Sequence, residues 1–170
     1  MQRFDPILLQ DIYYFFYLNP DNFVPFPPPK FCLIRKLSSD DNHIFKQFLE
    51  ACSDSDKKAG AVNLNDSICF ACFHKGKVVA VATYSFWGDI LADIAVLTHP
   101  AFRKRGLGKA VLSALCRWGI RNNRIKQYCC SSNNTASINL ATSLKFEKLI
   151  ELEKLISKHS NNLATYPSGL

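Results

Sequence analysis

The segment spanning residues 96–109 has the residue types and spacing that most clearly suggest a chemistry. A β-rich run ends at Thr98, a turn containing glycines follows, and helical periodicity begins at Gly106. The N–H groups and the dipole at a helix start attract anions, and glycines let a phosphate approach the main chain. The segment also carries four basic residues, Arg103, Lys104, Arg105 and Lys109. This pattern predicts a phosphate-binding turn, although glycines at this spacing also suit a plain tight turn.

Two other glycine-rich nucleotide motifs do not fit the segment. A dinucleotide-binding turn follows the first strand of a parallel sheet, whereas this turn lies in mid-chain after three β-rich runs with short connections. A P-loop needs Ser or Thr after its lysine, and Ala110 follows Lys109 here.

The segment resembles the signature of the GNAT superfamily of N-acyltransferases. In that signature an Arg or Gln is followed by two residues, a Gly, one residue, and a Gly or Ala, and Arg103, Gly106 and Gly108 fill these positions. A second similarity covers residues 134–146, where the family often has an Asn, an Ala-rich turn and a Leu-Gly-Phe ending. The resemblance extends over roughly residues 31–152.

The resemblance implies that acetyl-CoA is the cofactor and acyl donor. The strand residues Val96, Leu97 and Thr98 are expected to pair with its pantetheine arm. Asn134 is expected either to hydrogen-bond that arm or to cap its own helix. The pyrophosphate is expected on the main chain of Lys104, Arg105, Gly106, Leu107, Gly108 and Lys109, with the Arg103 and Lys104 side chains near its oxygens.

Asp93 is the candidate general base. It lies ten residues before Arg103, where several family members carry a catalytic carboxylate. An amine with a pKa near ~10.4 must lose a proton before it attacks a thioester, and a carboxylate acting through water can accept that proton. A role as a capping or pairing residue at the sheet surface fits Asp93 equally well. Asp89 is the alternative base and suits a turn.

The general acid is less defined, because the chain departs from the family pattern. Ala141 stands where many members carry the tyrosine that protonates the leaving thiolate, and Lys145 replaces a usual glycine. A thiol with a pKa near ~8.5 can leave unaided. Ser137 is the first candidate proton donor, and Thr142 and Tyr84 are others.

The resemblance implies an N-acetyltransferase that moves an acetyl group to a primary amine of an unidentified acceptor by direct attack. No cysteine has a neighbour in the sequence that marks it as a nucleophile. The alternative is a non-catalytic, acyl-CoA-binding or regulatory domain, which Ala141 suggests. The oligomeric state is left open between a monomer and a homodimer.

The elements that position these residues follow from apolar periodicity. Strands are predicted over residues 31–37, 68–73, 78–87, 90–98 and 125–130, with strand or mixed structure over 146–156. Helices are predicted between 42 and 52, from 106 to about 119, and over 134–144, and residues 53–66 are predicted to be a polar loop.

This order predicts an α/β domain of the α+β type, as in the GNAT fold. The resemblance implies a central sheet that is mixed, mainly antiparallel and splayed between the fourth and fifth strands, with helices on both faces. Residues 1–30 are predicted to be an aromatic and proline-rich extension packed on the domain, 31–156 the GNAT-like domain, and 157–170 a polar tail.

Composition narrows the range of partners. A net charge of +7 and a pI near 9.1 favour anionic ligands, but no helix carries a base-reading stripe, so a nucleic-acid partner is not expected. The apolar run 12–18 is too short to span a bilayer, and no membrane partner is expected.

The seven cysteines predict a reduced, cytoplasmic protein, because their number is odd, most lie in apolar runs, and a signal peptide is lacking. No metal is expected. Cys69 and Cys72 have no second pair at zinc-site spacing, and His43 and His99 have no ligand partners nearby.

Overall fold

A computed structural model of the protein describes residues 8–64, 67–87 and 91–156. Its strands are β1 (Leu8–Tyr17), β2 (Leu33–Lys36), β3 (Ser67–His74), β4 (Lys77–Trp87), β5 (Leu91–Thr98), β6 (Ile125–Ser131) and β7 (Glu147–Ile156). Its helices are α1 (Asn42–Glu50), α2 (Asp54–Gly60), α3 (Leu107–Arg121) and α4 (Thr135–Ser143). Short 3-10 turns span Pro20–Asn22, Ser39–Asp41 and Pro100–Phe102.

The seven strands form one open sheet in the spatial order β2-β3-β4-β5-β6-β1-β7. Neighbouring strands are antiparallel except β5 and β6, which are parallel. The register of β5 and β6 runs from Leu91–Ile125 to Ile94–Tyr128 and stops there. Beyond that point β5 stays paired with β4, and β6 with β1, so the sheet opens between β5 and β6. The predicted mixed sheet with a splay between the fourth and fifth predicted strands is confirmed.

Helices cover both faces of the sheet, as predicted. α3 packs on one face, where the small side chains of Ala80 and Ala82 in β4 leave room for its buried Val111 and Leu115. The opposite face is covered by α1, whose Phe45 and Phe48 are buried with Val81 of β4 and Leu97 of β5. Along the described ranges, no helix combines the length and the apolar character needed to cross a membrane.

Strand β1 is the largest difference from the sequence-based description, which assigned no strand to residues 1–30. Residues 8–17 lie inside the sheet, antiparallel to both β6 and β7. This run is rich in aromatic residues, which favour β-strands. As a strand, it packs Tyr14 and Phe16 against the core. The division into an extension, a domain and a tail remains a prediction, and residues 1–7 and 157–170 lie outside the described residues.

Helix α2 was also not predicted, because residues 53–66 have the composition of a polar loop. The Ser53 Oγ accepts a hydrogen bond from the N–H of Asp56 at 3.1 Å and caps the helix. Acidic residues in the first turn and lysines in the last turn complement the helix dipole. Capping and charge therefore produce a short helix that has no apolar period.

All seven cysteines are free thiols in the structure. Burial raises the pKa of both Cys69 and Cys116 to about 12, so these thiols should react slowly in the native protein. We predict seven reactive thiols per chain when the protein is denatured without reductant and titrated with a thiol reagent. A count of one would mean three disulfides and would contradict the reduced state.

Candidate active site

The turn between β5 and α3 exposes main-chain donors. After β5 ends at Thr98 and the 3-10 turn closes, Lys104 and Gly106 adopt left-handed conformations with φ of 59° and 75°. Gly106 precedes α3, and no side-chain cap bonds to the start of the helix. The N–H groups of the first turn of a helix have no intrahelical acceptor, so this turn can bind an anion.

Gly108 brings the first turn of α3 against β5. A Cβ atom at this position would lie 3.0 Å from the Thr98 Oγ1 and 3.8 Å from the Val96 Cγ1. A side chain here would press on the strand. The glycine therefore keeps the main chain of the turn close to β5 and open to a ligand.

A cavity of about 610 Å³ lies between β5, α3 and α4, and we call it the β5–α3 cavity. Eleven of the residues predicted to bind the donor or to act in catalysis line it: Val96, Leu97, Thr98, Arg103, Lys104, Gly106, Leu107, Gly108, Lys109, Asn134 and Ser137. Arg105 does not, because its guanidinium lies over the Phe102 ring, 5.2 Å from the centroid. Leu107 is buried in the core, so it offers the cavity its main chain.

Arg103 and Lys109 in the turn already have partners. The Nη2 of Arg103 lies 2.6 Å from the Asp56 Oδ1, and its Nε donates to the Thr98 carbonyl at 3.3 Å. The Lys109 Nζ lies 4.6 Å from the centroid of the Phe26 ring. Arg103 thus links α2 to the turn. To contact phosphate oxygens as predicted, its guanidinium would have to share or break the ion pair with Asp56.

A second cavity, of about 1000 Å³, holds Asp93, and we call it the Asp93 cavity. The two cavities share six lining residues at the splay: Ala59, Gly60, Val96, Tyr128, Asn134 and Ser137. The two cavities therefore adjoin at the splay, and we refer to them together as the cleft. Burial raises the pKa of Asp93 to about 6, and a hydrogen bond from the Ile94 N–H at 3.1 Å partly opposes that rise.

Tyr128 is a site residue that the sequence analysis missed. It is 4% exposed, lines both cavities, and sits in the last residue pair of β5 and β6 before the splay. Burial raises the pKa of its hydroxyl to about 12, and the nearby Ser137 side chain partly opposes that rise. The only sequence signal was a polar hydroxyl within a strand that reads as fully buried.

The other predicted proton donors lie elsewhere. Tyr84 is fully buried, with its ring 6.1 Å from that of Trp118. The Thr142 hydroxyl donates to the Ile138 carbonyl at 3.0 Å on an exposed helix surface. Ala141 is buried in the core. The alternative base Asp89 lies outside the described residues.

Asn134 caps α4. Its Oδ1 accepts a hydrogen bond from the Ser137 N–H at 3.1 Å, which fixes the first turn of the helix and places Ser137 at the splay. The side chain also lines both cavities, so its predicted contact with the pantetheine arm stays compatible with capping.

Comparison with known families places the chain. The model of the acetyltransferase (GNAT) family matches residues 33–146, more than half of the chain. The chain belongs to the GNAT acetyltransferase family. The resemblance inferred from Arg103, Gly106 and Gly108 is therefore confirmed.

Solved structures of GNAT proteins share this fold. A GNAT-family protein from Novosphingobium aromaticivorans superimposes with a TM-score of 0.68 at 17% identity, over 89% of this chain and 67% of that one. A GCN5-related N-acetyltransferase from Kribbella flavida gives 0.67 at 13% identity, over 89% and 60%. An aminoglycoside N-acetyltransferase in complex with CoA gives 0.53 at 20% identity, over 68% and 91%.

The comparisons do not identify the acceptor. The chain spans about three fifths of the Kribbella flavida protein, and identities below 25% establish the fold alone. No curated protein matches the sequence significantly. The chemical class of the acceptor therefore has to be inferred from the residues of the cleft.

Proposed function

We propose that this GNAT protein transfers an acetyl group from acetyl-CoA to a primary amine by direct attack within one cleft. The observation that supports the proposal is that the two cavities adjoin at the splay and share six lining residues there. A donor held by the anion-binding turn at Gly106 and Gly108 would present its thioester at the splay, where Tyr128 ends the β5–β6 pairing and Asp93 lies one residue earlier on β5, on the other face.

The donor's binding residues follow from the open edge of β5. Val96, Leu97 and Thr98 lie beyond the last pair with β6, so the main-chain groups that face the splay can pair with the amides of a pantetheine arm. The N–H groups from Lys104 to Lys109 and the dipole of α3 would hold the pyrophosphate. A Cβ at Gly108 would crowd this approach. When bound, acetyl-CoA supplies the activated acyl group.

Asp93 would act as the general base, directly or through water. A carboxylate with a pKa near 6 is mostly ionised at neutral pH, yet it is more basic than an ordinary aspartate. It lies on the same sheet face as Cys129, whose thiol pKa rises to about 12 through burial and the nearby Asp93 charge. Such a thiol is a poor nucleophile, which supports direct attack over a covalent acyl-enzyme.

Tyr128 and Ser137 would stabilise the leaving thiolate. Because the pKa of Tyr128 is about 12, the hydroxyl keeps its proton and can donate a hydrogen bond to a negative sulfur. Tyr128 and Ser137 would together replace the tyrosine that many family members carry at the position of Ala141. This replacement favours the catalytic function over a merely regulatory domain.

Changing Tyr128 to Phe should raise the pKa of the CoA thiol in its complex. In the parent protein, charge-assisted hydrogen bonds are expected to lower that pKa by about one unit from ~8.5. Because the thiol pKa is lower in the complex than in free CoA, CoA should bind more tightly as the pH rises from the lower pKa to the higher one. Calorimetry of CoA between pH 7 and 9, with acetyl-CoA as the non-titrating reference, measures the effect.

The matched control is Tyr17→Phe, since Tyr17 lines neither cavity. Tyr17→Phe should keep the pH dependence, Ser137→Ala should weaken it, and Tyr128→Phe should abolish it. Equal pH dependence in Tyr128→Phe and the parent protein would remove Tyr128 from the mechanism.

The proposed function is tested by a panel of primary amines with acetyl-CoA, following free thiol release and the mass of the amine product. We expect acetylated product and stoichiometric thiol from at least one class of amine. Tight acetyl-CoA binding without acetylation of any amine would favour the regulatory alternative.

A further inference from the structure

One half of the sheet carries an exposed apolar surface beside the cleft. Strand β1 pairs in register so that Tyr13 lies between Ser131 and Leu152, and Phe15 lies between Cys129 and Ile150. Opposite residues of neighbouring strands share a face, so these side chains form two rows. We call Tyr13, Phe15, Ile150 and Leu152 the apolar platform.

The platform faces the same side of the sheet as Asp93. The alternate residues Tyr14, Phe16, Tyr128 and Ile94 point into the core under α3, so their sequence neighbours face the other way. Tyr13 itself lines the Asp93 cavity, together with Cys129 and Ser131. The platform is therefore a continuation of the cavity floor.

The outer part of the platform is open to solvent. Ile150 is 58% exposed and Leu152 is 47% exposed, while Tyr13 and Phe15 are half-buried. Large apolar side chains grouped beside a cleft mark a binding surface more often than single exposed ones do. Cys129 and Ile150 are two strand spacings apart, about 10 Å, which sets the length of a ligand that would cover the platform.

The charges of the cavity suit a ligand with a single cation. Among the described residues that line it, Asp93 is the only acidic side chain and Lys58 the only basic one. The protein as a whole carries a net charge of +7, which disfavours polycationic acceptors such as polyamines.

We infer that the acceptor is a monoamine of the alkylamine or arylalkylamine class, whose apolar body lies on the platform while its nitrogen reaches Asp93. This inference rests on the proposed N-acetyl transfer and adds the class of acceptor. The platform supplies affinity through apolar burial, and Asp93 supplies the polar contact.

The test is a series of linear amines from propylamine to octylamine, with spermidine as the polycationic probe, measured as kcat/KM with acetyl-CoA. Full burial of a methylene is worth about fourfold in affinity, and about twofold is expected on an open surface. Octylamine should therefore exceed propylamine by about 10–30-fold, and spermidine should be the poorest acceptor. A flat series, or a preference for spermidine, would overturn the inference.

Variants locate the effect on the platform. Ile150→Thr and Leu152→Thr keep β-propensity and remove apolar surface, so each should reduce the octylamine-to-propylamine ratio by about threefold or more. Leu33→Thr is the matched control, because Leu33 is 64% exposed and lies on β2, at the opposite edge of the sheet from the platform. Equal ratios in all three variants would contradict the inference.

Two further outcomes remain decisive. If no amine is acetylated, calorimetry of octylamine with the CoA-loaded protein separates the platform from the proposed transfer. Octylamine binding that Ile150→Thr weakens would support the platform even though the transfer fails. No octylamine binding would overturn the platform as well. If light scattering shows that Ile150→Thr and Leu152→Thr convert a dimer to a monomer and leave the chain-length ratio unchanged, a second copy of the chain covers the platform and the inference is wrong.

Discussion

Asp93→Asn is expected to lower turnover by about 10²–10⁴ at neutral pH and to leave the affinity for acetyl-CoA unchanged. The substitution keeps the size of the side chain and removes its basicity. Asp93 lies in the Asp93 cavity and not in the β5–α3 cavity, so donor binding should not depend on it. The measurements are steady-state rates with an amine found by the panel and calorimetry of acetyl-CoA.

The pH profile gives this prediction a second readout. The pKa of Asp93 is about 6, so kcat/KM of the parent protein should fall below about pH 6, where Asp93 is protonated. In Asp93→Asn that step should vanish, while the rate still rises with pH because the free-amine fraction of the acceptor increases. Unchanged turnover at neutral pH would eliminate Asp93 as the base.

Stability serves as the control for Asp93→Asn. Because the pKa of Asp93 is raised in the folded state, the folded protein binds this proton more tightly than the unfolded chain. Stability is therefore lost as the pH rises from about 4 through about 6. Asparagine carries no charge, so the variant should unfold at the same or a higher temperature at pH 8. Asp40→Asn, at an exposed aspartate, should leave turnover unchanged.

Gly108→Glu is expected to weaken acetyl-CoA binding by about 10² or more. A Cβ would meet the Thr98 Oγ1 at 3.0 Å, and the carboxylate would add a negative charge at the turn that is proposed to hold the pyrophosphate. At an effective dielectric near 20, two like charges about 5 Å apart repel by about 3 kcal/mol, which corresponds to roughly that loss. Calorimetry on the folded variant measures the affinity.

Two comparisons separate crowding from charge in this experiment. Gly108→Ala adds the Cβ alone and should cost less affinity than Gly108→Glu. Asn42→Glu adds the same charge at the exposed first residue of α1, which lines neither cavity, and should bind acetyl-CoA like the parent protein. A folded Gly108→Glu protein with parental affinity would refute the phosphate-binding turn.

The parts of the site that could be predicted are local in sequence. Arg103, Gly106 and Gly108 lie within six residues, and α3 follows with a clear apolar period, so both the turn and its helix were predicted. The antiparallel run of β3, β4 and β5 was predicted for the same reason, because short connections join these strands.

The missed parts depend on contacts distant in sequence. Strand β1 is defined by its pairing with β6 and β7, more than a hundred residues away, which aromatic composition alone did not reveal. The role proposed for Tyr128 depends on where the register of β5 and β6 stops, and on Ser137 reaching it from α4. Helix α2 arises from the Ser53 cap and end charges instead of an apolar stripe.

The central claim, direct acetyl transfer within one cleft, is tested most directly by a single turnover with acetyl-labelled acetyl-CoA. The protein is loaded with less than one equivalent of donor and mixed with an acceptor amine, and the label is followed on CoA, protein and amine by mass spectrometry. We predict that the label leaves CoA and appears on the amine in one phase, together with free thiol and with no label on the protein. Label on a cysteine or serine of the protein before it reaches the amine would contradict direct attack, and label that stays on CoA would contradict the transfer itself.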